Sequence, residues 1–78
     1  MQNAHDVHVE DAAELMQMEY AEMPGLKLTF WQARRLWNLS EDLCERALAT
    51  LTRSGFLVQT ADGAYIRRGS GEHVRRKQ

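Results

Sequence analysis

The chain has 78 residues, enough for one small domain with a single hydrophobic core and too few for a multidomain enzyme. Apolar residues make up 44% of it and charged residues 27%, proportions that exclude wholesale disorder. The one cysteine, Cys44, cannot form an intrachain disulfide, and no run reaches the roughly 18 apolar residues of a membrane span. Because Met1 to Glu10 holds no apolar stretch typical of a secretion signal, we expect a cytoplasmic protein.

Charge is divided unevenly along the chain. The formal net charge is only −1, yet six acidic residues and no Lys or Arg precede Pro24. Residues 25–68 carry seven basic and four acidic residues, and residues 69–78 carry three basic residues and one acidic residue. This asymmetry indicates a polyanionic partner for the later part of the chain, although surface charge is often only a means of solvation.

A first helix is predicted from Glu10 to Met23, where apolar residues recur at helical spacing between glutamates. Pro24 and Gly25 are expected to end it, since proline disfavours helical geometry in the residue before it. Residues 1–9 are expected to be flexible. The predicted inward residues of the helix are Ala12, Leu15, Met16, Tyr20 and Met23.

A brief strand and a second helix are predicted next. Apolar and polar residues alternate over positions 26–30, which suits a strand of two or three residues. Thr29 and Gln32 have the spacing of a capping box, so the second helix is expected from about Phe30 to Trp37. Its predicted inward residues are Ala33, Leu36 and Trp37.

The third helix, expected at about 41–54, has the clearest pattern. Asn38 tolerates the left-handed geometry that closes a helix, and Ser40 is a good N-cap for the next one. Glu41 and Asp42 suit the positive end of the helix dipole, and Gly55 provides a stop. The predicted apolar face consists of Leu43, Cys44, Ala47, Leu48 and Leu51.

After the third helix the pattern changes to that of a β-hairpin at residues 56–67. Two β-prone runs, at 56–58 and 64–67, flank a turn at residues 60–63 that ends in Asp62 and Gly63. Residues 69–78 are polar and basic with little to bury, so we expect a disordered tail.

One stretch resembles a known family. It reads Leu28-Thr29-x-x-Gln32-Ala33-x-x-Leu36-x-x-Leu39-Ser40-x-x-x-Cys44-x-Arg46-x-Leu48-x-x-Leu51-x-x-x-Gly55-Phe56-Leu57. With the element order, this is similar to the core of the winged helix-turn-helix superfamily, as in MarR-like bacterial regulators. The resemblance spans Gly25 to Arg68. It implies an α+β, mainly α domain over residues 10–68, with three helices and a short C-terminal β-hairpin, the wing.

The resemblance also implies a function, namely duplex DNA binding by a transcription-regulator-like domain. The third helix would enter the major groove, while residues 56–67 would be the wing. Because one small domain makes few contacts with DNA, a homodimer or a protein partner is expected as well. The DNA-binding residues expected by position are Lys27, Arg34, Arg35, Glu45, Arg46, Ala49, Arg53, Arg67 and Arg68.

The acidic face of the third helix leaves an alternative open. Glu41, Asp42 and Glu45 occupy the side that would face DNA, where phosphates repel carboxylates, although a carboxylate can accept a hydrogen bond from cytosine. The alternative is a winged-helix module that binds another protein and does not bind DNA.

No residue pattern supports an enzyme, a metal, a cofactor or a small-molecule ligand. Cys44 lies on an apolar helix face and reads as a packed small side chain rather than a reactive thiol. His5 and His8 lack further ligands, and the glycines at 69–71 lack the helix and lysine of a phosphate loop. Trp31 reads either as a contact with the first helix, which we favour, or as an exposed interface anchor.

Overall fold

Three helices and three strands form the domain in a computed structural model, which describes the backbone of residues 4–69 and the side chains of residues 9–69. The expected α+β, mainly helical class is confirmed. In chain order the elements are α1 (Ala4–Glu22), β1 (Lys27–Thr29), α2 (Phe30–Leu36), α3 (Glu41–Arg53), β2 (Leu57–Gln59) and β3 (Ala64–Arg67).

Helix α1 begins at Ala4, well before the predicted start at Glu10, and ends just before the predicted turn at Pro24. Met16 and Tyr20 are buried as predicted. The side chains of Leu15 and Met23 are exposed, so their predicted inward orientation is wrong. The buried stripe of α1, which packs against α3, consists of Ala12, Ala13, Met16 and Tyr20, so Leu15 lies beside it on the helix, and Met23 follows the last residue of α1.

The predicted capping box at the start of α2 is confirmed. The Thr29 backbone N–H donates to Gln32 Oε1 at 2.9 Å, and the Gln32 backbone N–H donates to Thr29 Oγ1 at 3.2 Å. Ala33 is buried, but the Leu36 side chain is exposed, so its predicted inward orientation is wrong. Helix α2 is only seven residues long and ends at Leu36, so its buried stripe does not extend to that position.

The turn between α2 and α3 has the predicted geometry. Asn38 adopts a left-handed φ of 52°. The Leu39 backbone N–H then reaches back to the Arg34 carbonyl at 3.0 Å. On the far side of the turn Ser40 caps α3, because its Oγ accepts a hydrogen bond from the Leu43 backbone N–H at 3.1 Å.

The strands form one antiparallel sheet in the order β1-β3-β2. The predicted hairpin is confirmed, with β2 starting one residue later than expected, at Leu57. Gly63 has a φ of 88° in the turn, where the Thr60 backbone N–H donates to the Ala64 carbonyl at 2.7 Å. Strand β1 pairs with β3, Leu28 opposite Tyr65, and so ties the hairpin to the helices.

The core lies between α1, α3 and the sheet. Tyr20 is fully buried there, and its hydroxyl donates a hydrogen bond to the Tyr65 carbonyl at 2.8 Å. Burial raises the pKa of Tyr20 to about 12 and that of Cys44 to about 11, so both groups stay protonated. The interpretation of Cys44 as a packed side chain is confirmed. The buried residues are Ala12, Ala13, Met16, Tyr20, Ala33, Cys44, Ala47, Leu48, Leu51, Leu57 and Ala64.

Candidate interaction surface around helix α3

Helix α3 turns one face to the core and one to solvent, as predicted. Cys44, Ala47, Leu48 and Leu51 are buried, while Leu43 is half-buried at the edge of the core. The residues that α3 exposes to solvent include all four that were expected to contact DNA from this helix. These exposed residues include Glu41, Asp42, Glu45, Arg46, Ala49 and Arg53.

Arg46, the central basic residue of this face, is paired with a carboxylate. Its Nε lies 3.3 Å from Asp42 Oδ2, one helical turn earlier, and both side chains are well exposed. Exposed ion pairs of this kind contribute about 0.2–1 kcal/mol, so the pair stabilises the fold little. It does partly neutralise the arginine that a DNA-reading helix would use.

A groove of about 900 Å³ runs between α1 and α3. Helix α1 lines it with two carboxylates, Glu10 and Glu14, and helix α3 lines it with Arg46 and Arg53. Small and apolar side chains separate these two charged walls. The full lining is Val9, Glu10, Ala13, Glu14, Gln17, Arg46, Ala49, Thr50, Leu51, Arg53 and Ser54.

Carboxylates therefore outnumber basic groups around the exposed face of α3. We define the acidic rim as the five carboxylates that lie on this face or on the α1 wall of the groove. Among the described side chains, only Arg46 and Arg53 oppose them on these two helices. The acidic rim consists of Glu10, Glu14, Glu41, Asp42 and Glu45.

Two other basic residues expected at the DNA interface have partners inside the domain. The Arg34 side chain is half-buried, and its Nε donates to the Leu39 carbonyl at 3.1 Å, so it holds the turn before α3. Lys27 Nζ lies 3.5 Å from Asp62 Oδ2, which links β1 to the hairpin turn. The carboxyl pKa of Asp62 is lowered, mainly by a hydrogen bond from the Thr60 hydroxyl.

The remaining basic residues that were expected at the DNA interface, all of them described by the structure, do not line the groove. Arg67 pairs with Leu57 at the end of the hairpin opposite its turn, and Arg67 and Arg68 line a small cleft with Pro24 and Gly69. Arg35 is exposed on α2. Of the nine residues expected to bind DNA, the structure brings only Arg46, Ala49 and Arg53 together in the groove.

Trp31 is 56% exposed, which contradicts the favoured packing against the first helix and supports the alternative of an exposed anchor. Its ring meets Phe30 edge-on, with centroids 4.9 Å apart, and the Arg34 guanidinium carbon lies 5.5 Å from the ring centroid. Both of these contacts of the Trp31 ring are therefore with residues of α2.

The sequence analysis did not predict the groove or the contribution of α1 to it.

No protein-family model, curated protein or solved structure matches the chain, so the argument for its function rests on its own residues. Among residues 4–69, no helix has the length and hydropathy of a membrane span, and no three His, Cys, Asp or Glu side chains cluster as metal ligands. His5, His8 and most of the tail lie outside the described side chains.

Proposed function

We propose that this chain is a winged-helix domain that binds a cationic segment of another protein at α3 and the adjoining groove. Its element order supports the winged-helix part of the proposal. Helices α2 and α3 meet through a tight, capped turn, and the hairpin β2–β3 follows α3 where a wing would lie. Strand β1 fixes that hairpin against the helical part.

The acidic rim is the observation that carries the choice of partner. DNA affinity comes largely from Lys and Arg contacts with phosphates, and each carboxylate near the phosphates opposes it. The exposed surface of α3 and the α1 wall of the groove together carry five carboxylates and two arginines, and Arg46 is already paired with Asp42. A partner that carries Lys or Arg has the complementary potential.

The groove also defines the shape of the partner. Ala13, Ala49 and Leu51 all line the groove, so aliphatic side chains of a partner can be buried against them. The acidic α1 wall, with Glu10 and Glu14, lies along one side. An amphipathic helix with Lys or Arg beside a row of aliphatic residues fits both features.

Duplex DNA is the second candidate, and the orientation of α3 favours it. Arg46, Ala49 and Arg53 point outward at the positions that the winged-helix resemblance assigns to a recognition helix. Arg35 on α2 would be available for phosphates under this proposal. Glu14, beside the same face, would then oppose DNA binding, so its neutralisation would raise duplex affinity.

The double variant Glu10→Gln/Glu14→Gln separates the two candidates. The probes are a synthetic amphipathic peptide of Leu and Lys, the same peptide with Glu in place of Lys, and a random-sequence DNA duplex. At low salt we expect the variant to bind the Leu–Lys peptide roughly threefold to tenfold more weakly, because two exposed charge pairs are lost. Titration calorimetry measures the change, and Glu19→Gln/Glu22→Gln is the control with the same charge change outside the groove.

The opposite pattern would support the DNA candidate. In that case the parent chain binds the duplex at low salt, its affinity falls steeply as salt rises, and the double variant binds the duplex more tightly. Equal binding of the Leu–Lys and Leu–Glu peptides would contradict the role of the acidic rim.

A further inference from the structure

Helix α1 carries an exposed stripe that the core and the groove leave uncovered. Leu15 is 40% exposed and Met18 is 56% exposed. Exposed carboxylates, Asp11 and Glu22, lie one turn before and one turn after this apolar pair on the same helical face. We call these four residues the acidic stripe. Large apolar side chains that cluster at a surface are typical of an interaction site.

Helix α2 carries an exposed patch of the opposite charge. Trp31 is 56% exposed, and Arg35, one helical turn later on the same face, is exposed as well. The helix contains two arginines and no acidic residue. We call Trp31 and Arg35 the basic patch. Tryptophan and arginine are the residues most enriched at the energetic centres of protein interfaces.

We infer that the chain self-associates, with the acidic stripe of one copy on the basic patch of a second copy. The two surfaces complement each other, since each presents large exposed apolar surface, Leu15 and Met18 on one and Trp31 on the other, and the charges beside it are opposite. In a symmetric dimer each copy contributes both surfaces, so every contact is made twice. The interface would bury Leu15, Met18 and Trp31, with Arg35 against the carboxylates of the acidic stripe.

This inference is independent of the proposed function, because neither surface belongs to the groove between α1 and α3. The acidic stripe shares no residue with the groove lining, and none of the basic patch lines the groove. A dimer of this form therefore leaves the acidic rim open to a cationic partner.

Sedimentation equilibrium of the full chain and of two charge-reversal variants tests the inference. The parent is expected to form a dimer at low salt. Arg35→Glu reverses the basic patch, and Asp11→Lys/Glu22→Lys reverses the acidic stripe. Each is expected to weaken self-association on the order of tenfold, because attraction becomes repulsion at both symmetric contacts. An equimolar mixture of the two variants is expected to restore the dimer, since each reversed surface then meets its complement.

Matched controls carry the same charge changes elsewhere. Arg53→Glu on α3 and Glu10→Lys/Glu45→Lys in the acidic rim are expected to leave dimerisation unchanged, and circular dichroism verifies that each variant folds. Trp31→Ala removes the centre of the basic patch without changing charge, and it replaces Arg35→Glu if that variant does not fold. A monomeric parent, a mixture that stays monomeric, or controls that weaken the dimer equally would overturn the inference. Unaltered binding of the Leu–Lys peptide by Arg35→Glu distinguishes this outcome from failure of the proposed function.

Discussion

Leu48→Asp is expected to abolish the folded state. Leu48 is 1% exposed and lies at the centre of the buried face of α3, with no basic side chain among the buried residues around it. An unpaired carboxylate at such a site costs several kcal/mol, which is comparable to the roughly 5–15 kcal/mol that stabilises a natural domain and more serious for a small one. Loss of dispersion in the amide NMR spectrum and loss of a cooperative thermal transition would report the unfolding.

Leu36→Asp is the matched control for this prediction. It introduces the same carboxylate in place of the same side chain, but Leu36 is 53% exposed at the end of α2. We expect this variant to keep a dispersed spectrum and to change stability by no more than about 1 kcal/mol. Native-like dispersion of Leu48→Asp, or unfolding of Leu36→Asp, would contradict the helix orientations described above.

Tyr20→Ala is expected to produce the second largest loss. Tyr20 is fully buried, its ring centroid lies 6.4 Å from that of Trp37, and its hydroxyl holds the Tyr65 carbonyl of β3. Truncation of a buried aromatic ring costs about 3–5 kcal/mol. Tyr20→Phe keeps the ring and removes only the hydrogen bond, so it should cost about 1–2 kcal/mol. Urea unfolding measures both, and equal losses for the two variants would contradict a packing role for the ring.

The same residue gives the domain a dependence on alkaline pH. Burial raises the pKa of Tyr20 from 10.0 to about 12 and that of Cys44 from 9.0 to about 11. The unfolded chain therefore releases these protons at lower pH than the folded chain does. Stability is retained below about pH 9 and falls between about pH 9 and 12, by at most about 1.4 kcal/mol per pH unit for each group. Tyr20→Phe should remove the Tyr20 share of this loss, which develops between about pH 10 and 12, and leave the Cys44 share, as measured by urea unfolding across that range.

The orientation of α3 could be predicted from the sequence because its apolar residues fit only one face of a helix. Ser40 and Gly55 mark its ends, and the apolar residues between them occupy a single helical face opposite the charged ones. Helix α1 could not be oriented in the same way. Ala13 competes with Leu15 for the buried stripe, and only the packing against α3 decides between them.

In the candidate site, too, the features set by one helix could be predicted from the sequence, whereas those set by the packing of two helices could not. The outward positions of Arg46 and Arg53 follow from the period of α3 alone. The approach of Glu10 and Glu14 to α3 depends on how two helices distant in sequence pack, which periodicity does not encode. The signal that the sequence did offer is the small residue at positions 13 and 49, because small side chains permit two helices to pack closely, and both alanines line the groove.

An amide chemical-shift titration of the isotopically labelled full chain tests the central claim most directly. The chain is titrated at low salt with the Leu–Lys peptide and, separately, with a random-sequence DNA duplex. We predict that the peptide shifts the amides of Glu14, Ala49 and Arg53 and that the duplex shifts none of them. Shifts along α3 and the hairpin turn with the duplex, weakening as salt rises, together with no response to the peptide, would contradict the account.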